Sequence, residues 1–500
     1  MRVSKYYTGI STSSFIIFLL ICTAAYSQEV IEYKLQDVIR IAQEQSPDAQ
    51  IAKHRYRQSY WSYRSFKATY LPGLQLDATL PNINRSFTAV SSQDGSTFYT
   101  PQSLQSYSVS LSVNQKIGFS GGEIFLSSGI QRMDNNFKDS TVTQYLTNMV
   151  NIGIRQPLFT YNAYRWDRKI EPMRFEEAQR LYIETNEQVA ITAVNHFFSL
   201  LLAQIELGIA GKNYANYDTL YKIALGRYNL GKIAENELLQ LELNLLQAEA
   251  EVENAELNYT NTLFIFKSYL RLKIDNAVKL IPPDDITYFD VPVEKAIIEA
   301  ENNTSSGLEF QRRMLEAESQ LNRAKREGRF DAELFASFGL TQTSNDISMA
   351  YVDPLDEEHV TLGISLPLLD WGKARGNIKM AESSLDLVAT TIEQERIDFE
   401  HNVFLKVMQF NMQKKQLRIA AKSDTVAQKR FEVTQKRYMI GKVNDVLELN
   451  NAQIDNDRSK INYFRSLETY WKSYFELRKL TLYDFKRDIP IVASFDNIIN

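Results

Sequence analysis

Residues 227–232 read Arg-Tyr-Asn-Leu-Gly-Lys, and residues 437–442 read Arg-Tyr-Met-Ile-Gly-Lys, 210 positions later (441 − 231). Each copy closes a very long stretch of helical periodicity and is followed at once by another. Glycine accepts backbone conformations that other residues resist, so Gly231 and Gly441 read as reversals between antiparallel helices. Two equivalent reversals in one chain imply an internal duplication.

Outward from the first reversal, helical spacing extends back to Gln156-Pro157-Leu158-Phe159, with only Pro172 and Gly208 to Gly211 as candidate interruptions. That is roughly 65 residues, or ~100 Å at the α-helical rise. A helix of about half that length follows, from Glu237 to about Leu272. Leu366-Pro367-Leu368-Leu369 opens a second helix of similar length ending at Met439, and Asp445 to about Leu480 forms the second half-length helix. Pro157 and Pro367 are also 210 apart (367 − 157). One long helix matches two half-length helices end to end, so each half builds a two-ply column. Two such columns cannot close a tube, and a ring of several chains is expected.

Before each long helix the period changes to two. Tyr107, Val109, Leu111 and Val113 alternate with Ser106, Ser108, Ser110 and Ser112, and Val150, Ile152 and Ile154 alternate with Asn151, Gly153 and Arg155. Leu74 to Leu80 and Ile124 to Ile130 alternate less regularly. The second half offers strands at 334–341 and 360–366, giving about four strands within 74–157 and two later. Residues 81–103 and 134–144 read as polar, exposed loops. Alternation of this kind suits a barrel wall with lipid outside and water inside. It suits the half-buried strands of a soluble sandwich equally well. Pro72 and Phe330 are 258 apart (330 − 72), so the first half carries about 50 additional residues, the size of one hairpin with its loops.

The expected organisation is a signal peptide at 1–27, a first repeat at 28–275, a linker at 276–292, a second repeat at 293–482 and a tail at 483–500. Within the first repeat a helical segment from Leu35 to about Tyr70 breaks or restarts at Pro47. A short helix from Val293 to about Lys325 opens the second repeat. Arg2 and Lys5 followed by Phe15 to Ile21 and Ala25-Tyr26-Ser27 have the order of an export signal. Cys22 is the only cysteine, and Ile21 is a poor fit to the small residue that precedes a lipidated cysteine. Beyond the signal no uninterrupted apolar run reaches 18 residues; Phe197 to Ile209 is broken by Gln204 and Glu206. A β-barrel is then the expected way to span a membrane.

Composition removes other classes. A net charge of −5 from 56 basic and 61 acidic residues provides no field for nucleic acid. His54, His196, His359 and His401 lie far apart without metal-ligand spacing. There is no glycine-rich phosphate loop, nucleophile elbow or cysteine pair, so neither catalysis nor a cofactor is expected.

The stretch from Ser365 to Gly376, with Pro367-Leu368-Leu369-Asp370-Trp371-Gly372-Lys373, resembles the TolC family of outer-membrane efflux and secretion channels. Gln156-Pro157-Leu158-Phe159 is a looser copy, Leu35 to Leu74 is similar to the family's first helix and strand, and both Arg-Tyr-x-x-Gly turns match its helical hairpins. The resemblance covers nearly all of the mature chain. It implies an α+β membrane protein in which a long antiparallel α-helical barrel joins a transmembrane β-barrel, with two internal repeats and a homotrimeric assembly. It further implies an outer-membrane location with the helices in the periplasm, and partners in a periplasmic adaptor, an inner-membrane pump and outer-membrane lipid. The function implied is passive export of small molecules in a tripartite pump. Type I protein secretion remains the alternative, with a non-porous periplasmic scaffold behind it. Family members commonly contribute four strands per chain, fewer than the six counted here.

The family's gate lies at the second turn. Asp445 and Glu448, three apart on one helical face, would form stacked acidic rings in a trimer. Such acids also suit an ordinary exposed first turn of a helix. Tyr438 matches the latch tyrosine, whereas Val443 stands where an arginine is expected. Lys442 or Lys232, facing Glu235 or Glu237, is the candidate substitute pair. Leu230, Gly231, Ile440, Gly441, Val446 and Leu447 are expected at the exposed tips, where they would contact adaptor helices.

Overall fold

The computed structural model describes residues 30–136, 141–273, 277–283, 286, 288–440 and 446–499. Strand β1 (Val30–Tyr33) precedes helices α1 (Leu35–Gln45) and α2 (Pro47–Ala68). The break between the helices has a local cause. Proline is well placed as a first helical residue, and the Ser46 hydroxyl accepts the Ala49 backbone N–H at 3.2 Å, so Ser46 caps the restarted helix.

Strands β2 (Gly73–Ser91), β3 (Thr97–Ile117), β4 (Gly122–Asn136) and β5 (Thr141–Leu158) follow, then helix α3 (Ala163–Asn229) and helix α4 (Glu235–Tyr269). Strand β6 (Ala277–Leu280) leads to α5 (Val293–Asn303), α6 (Ser305–Glu327), β7 (Asp331–Ser344) and β8 (Leu355–Ser365). Helices α7 (Lys373–Met439) and α8 (Val446–Thr481) come next. The chain then runs through β9 (Tyr483–Asp484), β10 (Ile489–Pro490) and α9 (Asp496–Ile499). The order of elements recurs: α3 and α7 have 67 residues each, and α4 and α8 have 35 and 36. Neither Pro172 nor Gly208 and Gly211 interrupts α3.

The main sheet is an antiparallel six-stranded array in the order β2-β3-β4-β5-β7-β8. Register places Leu76 opposite Leu111, Leu126 opposite Ile152 and Phe338 opposite Ile152 from the other side, all on one exposed apolar face. Ser108, Ser110, Asn151, Ser337 and Thr361 lie on the opposite face. The loop expected at 81–103 is corrected. Asn82 to Ser91 pair with Ser106 to Thr97 across a long hairpin, after a bulge between Thr79 and Asn82. Only 92–96 turn, with Gly95 at φ 83° and the Asp94 carboxylate accepting from the Ser96 N–H and hydroxyl. The alternation of Ile83, Phe87 and Ala89 with Asn82, Asn84, Ser86 and Thr88 was the available signal. The second expected loop, 134–144, is also mostly strand, with 137–140 outside the described residues.

The helix expected from Val293 to Lys325 is two helices with a break at Thr304, where Arg180 donates to the Asn302 and Thr304 carbonyls at 2.6 and 3.1 Å. The linker region contributes β6, paired in parallel with β1 from Val30↔Ala277 to Tyr33↔Leu280. By contacts the chain forms two compact units that cut across the two halves of the sequence. One holds the described residues up to Ala52, Glu184–Ala296 and Phe404–Pro490; the other holds Lys53–Ile183, Ile297–Val403 and the residues from Ile491 onward.

The first unit is helical, and Phe197, Phe198, Phe266, Phe410 and Leu467 are fully buried in it. Each such side chain contributes about 1.5–3 kcal/mol by leaving water. Although Gln204 and Glu206 interrupt its apolar run, α3 contains a window that is on average apolar enough to cross a membrane, and over half of that window is buried within the protein. The second unit contains the main sheet and an aromatic cluster in which Tyr63 stacks on Phe175 at 4.6 Å and Tyr56 meets Phe495 at 5.0 Å. Arg57 donates to the Ile498 carbonyl at 2.6 Å, so the tail is part of this unit.

Below β8, the Asp370 carboxylate accepts the Gly372 and Ala374 backbone N–H groups at 2.9 and 2.8 Å, capping the start of α7. Those bonds, Ala374 first, hold its carboxyl below the usual range. Trp371 and Gly372 both have positive φ, so the Asp-Trp-Gly motif is a strained capping turn that leaves the indole exposed.

Candidate functional site

The two turns join α3 to α4 and α7 to α8. The first ends in a Schellman motif: the Lys232 N–H donates to the Arg227 carbonyl at 2.9 Å and the Gly231 N–H to the Tyr228 carbonyl at 2.8 Å. Gly231 sits at φ 65°, which explains the glycine of the repeated stretch. Glu235 and Glu237 occupy the first turn of α4, where the helix dipole favours negative charge. The second turn is described to Ile440 and again from Val446. Gly441, Lys442 and Asp445 lie outside the described residues.

All four helices meet beneath the turns. Leu220 and Ala224 of α3, Leu238 and Leu241 of α4, Tyr438 of α7, and Val446 and Leu449 of α8 form one buried cluster, with Tyr217, Tyr221, Ile233 and Phe431 around it. A polar ladder follows between α3 and α8. Tyr217 donates to Asn450 at 3.1 Å, Gln453 to Asn213 at 2.5 Å, and Asn213 to Asp457 at 2.8 Å. Burial pushes the Asp457 carboxyl up. Directional bonds of this kind fix the register of two helices that apolar packing alone would let slide.

Two of the residues named at the turns lie inward. Val446 is 7% exposed and packs in the cluster, because its i+3 neighbour Leu449 lies on the same inward face. Tyr438 is 3% exposed, so its ring belongs to the hairpin core. The Arg227 guanidinium lies 5.5 Å over that ring and donates to the Tyr438 and Met439 carbonyls at 3.4 Å. Arg227 therefore supplies an arginine against the tyrosine, from the other hairpin. The sequence signal was its equivalence to Arg437 in the repeated stretch.

Glu448 is half-exposed and pairs with Arg437 at 3.8 Å. An exposed pair of this length contributes about 0–1 kcal/mol. Among the described residues no ion pair joins Lys232 to Glu235 or Glu237. Leu230, Ile440 and Leu447 are 71%, 65% and 66% exposed, and a Cβ added at Gly231 would meet open space. The structure thus brings an apolar surface to the two turns over a rigid core. Among the described residues no His, Cys, Asp and Glu group could hold a metal ion.

The sequence model of the outer membrane efflux protein family matches residues 123–264 and 308–481, more than half of the chain. The chain belongs to that family. Several solved structures share its fold. The CmeC outer membrane channel of Campylobacter jejuni is 14% identical with a TM-score of 0.65, over 100% of this chain and 96% of that chain. The outer membrane protein VceC from Vibrio cholerae is 13% identical with a TM-score of 0.63, over 89% and 95%. A membrane protein from Pseudomonas aeruginosa is 14% identical with a TM-score of 0.63, over 89% and 90%. No curated protein matches the chain.

Proposed function

We propose that this chain is the outer-membrane channel of a tripartite efflux assembly: a passive homotrimeric conduit, built from an internal duplication, that exports small molecules. The sheet lies in the outer membrane, and the helical hairpins extend into the periplasm. One observation carries the reading. The sheet exposes a continuous apolar face through Leu76, Leu111, Leu126, Ile152 and Leu362, whereas its other face is mainly Ser, Asn, Gly and Thr, with Arg155 and His359 beside the stacked Phe125 and Phe335 rings. Soluble proteins cover such a face; lipid covers it in a barrel. Exposed Phe119, Phe159 and Trp371 follow the ends of β3, β5 and β8, which lie at the same end of the sheet, as an aromatic girdle requires.

The two turns form the periplasmic mouth. Leu230, Gly231, Ile440, Gly441 and Leu447 dock an adaptor that links the channel to an inner-membrane pump, which supplies the energy. Asp445 and Glu448 ring the constriction, and replacing both with alanine weakens cation preference and block by divalent cations in single-channel recordings. Unchanged selectivity removes the gate assignment. For the function itself, deleting the gene raises cellular accumulation of small-molecule pump substrates and leaves the secreted proteins unaltered. The converse pattern makes the chain a protein-secretion conduit.

A further inference from the structure

β2 and β8 are the two edges of the six-stranded sheet, with no partner on their outer sides among the described residues. Within a membrane every strand N–H and C=O needs a partner, so an open edge is not tolerated there. Five antiparallel pairings across six strands leave β8 running opposite to β2, so β8 of one copy can pair antiparallel with β2 of the next. We propose that all six strands of each chain lie in the barrel wall and that β8·β2 is the seam between copies. On the trimer proposed above, on which this rests, the wall then has eighteen strands.

The chain contains a template for that seam. β5 and β7 join the two halves, pairing Ile154 with Ala336 and Ile152 with Phe338. The 210-residue offset between Pro157 and Pro367 puts Ile364 in the place of Ile154 and Gly363 in the place of Gly153. The offset of 258–260 between the approaches to β7 and β2 puts Leu76 or Ala78 in the place of Ala336. Ile364 of one copy therefore faces Leu76 or Ala78 of the next, and the apolar belt continues across the seam.

Charge agrees with this register. Arg85 is the only basic residue of β2, and β8 carries Asp356, Glu357 and Glu358. Counting from the Leu76 or Ala78 contact through the bulge at Thr79/Asn82 brings Arg85 opposite Asp356 or Glu358 on the same face. β8 has 11 residues, enough for a tilted strand to span. Barrel diameter grows about linearly with strand number, so this wall is about half again as wide as a twelve-stranded one. The exit through the membrane would then admit bulkier molecules than a twelve-stranded wall allows.

Disulfide crosslinking of the full-length protein tests the seam. Ile364→Cys is combined in turn with Leu76→Cys, Ala78→Cys and, as the alternative, Leu126→Cys; single-cysteine variants are the controls, and native mass is measured alongside. The inference predicts a trimer that Leu76→Cys or Ala78→Cys locks covalently with Ile364→Cys. Arg85→Glu should lower that yield severalfold, and adding Asp356→Arg or Glu358→Arg should restore it. A trimer that crosslinks through Leu126→Cys, or through none of the pairs, overturns the six-strand wall and leaves the trimer standing. An assembly of another size overturns the trimer itself.

Discussion

Replacing Arg478 with alanine is expected to cost about 3–5 kcal/mol of folding stability, because it leaves a buried carboxylate without its counter-charge. Arg478 Nε and Nη2 each donate to Glu187 at 2.9 Å, and Nη1 lies 3.3 Å from Asp484. The guanidinium also covers the Tyr474 and Phe475 rings at 5.6 and 5.3 Å. Asp484 has other support, from the Tyr474 hydroxyl at 2.8 Å and the Lys486 N–H at 3.0 Å. Glu187 lies buried in helix α3 and depends on the arginine.

Burial pushes the Glu187 carboxyl up, and the Arg478 charge pulls the other way without cancelling it. Removing the arginine raises it further. A carboxyl whose folded pKa exceeds its unfolded value binds protons more readily when folded. The penalty is therefore greatest above the raised pKa and shrinks as pH falls towards the unfolded value. Thermal unfolding followed by circular dichroism should show a larger loss at about pH 7 than at about pH 5. The double variant Arg478→Met with Glu187→Gln should lose less than Arg478→Ala alone, since Glu187 is no longer stranded and Asp484 keeps its Tyr474 and Lys486 partners. A wild-type melting temperature for Arg478→Ala would mean that the triad contributes nothing.

The second large effect is functional. Changing Leu230 and Ile440 together to aspartate should abolish efflux while the protein still assembles and inserts. Both side chains are exposed at the turns, so a charge there costs the fold little. In a docked complex each apolar side chain contributes roughly 1.5–3 kcal/mol, so losing either one weakens adaptor binding more than tenfold. Adaptor affinity and dye efflux are the measurements. Val446→Asp is the contrasting variant. It places a charge in the four-helix cluster and should reduce the amount of folded protein rather than adaptor binding alone. Normal efflux by the Leu230→Asp/Ile440→Asp protein would remove the docking assignment.

The helical plan was readable because it is local. Pro47 as a first helical residue and Gly231 at a positive φ act within a few residues of where they appear, and the 210-residue offset between prolines matches two such local patterns. The inward face of α8 was also available, since Val446, Leu449 and Gln453 recur at helical spacing while Leu447 falls off that face. What the sequence hid depends on distant partners. Glu187 and Arg478 lie 291 positions apart, and β1 meets β6 across most of the first half. Arg227 reaches the Tyr438 ring only because two hairpins meet. The long β2–β3 hairpin escaped for another reason. Its upper part alternates, but the bulge at Thr79/Asn82 shifts the period by one and breaks the pattern in two.

The central claim is that the chain forms a water-filled path through a membrane. Current across a planar bilayer after addition of the purified, detergent-extracted protein tests it most directly. The account predicts discrete conductance steps with a preference for cations. Protein that is soluble without detergent, or that folds and assembles yet passes no current, would contradict it.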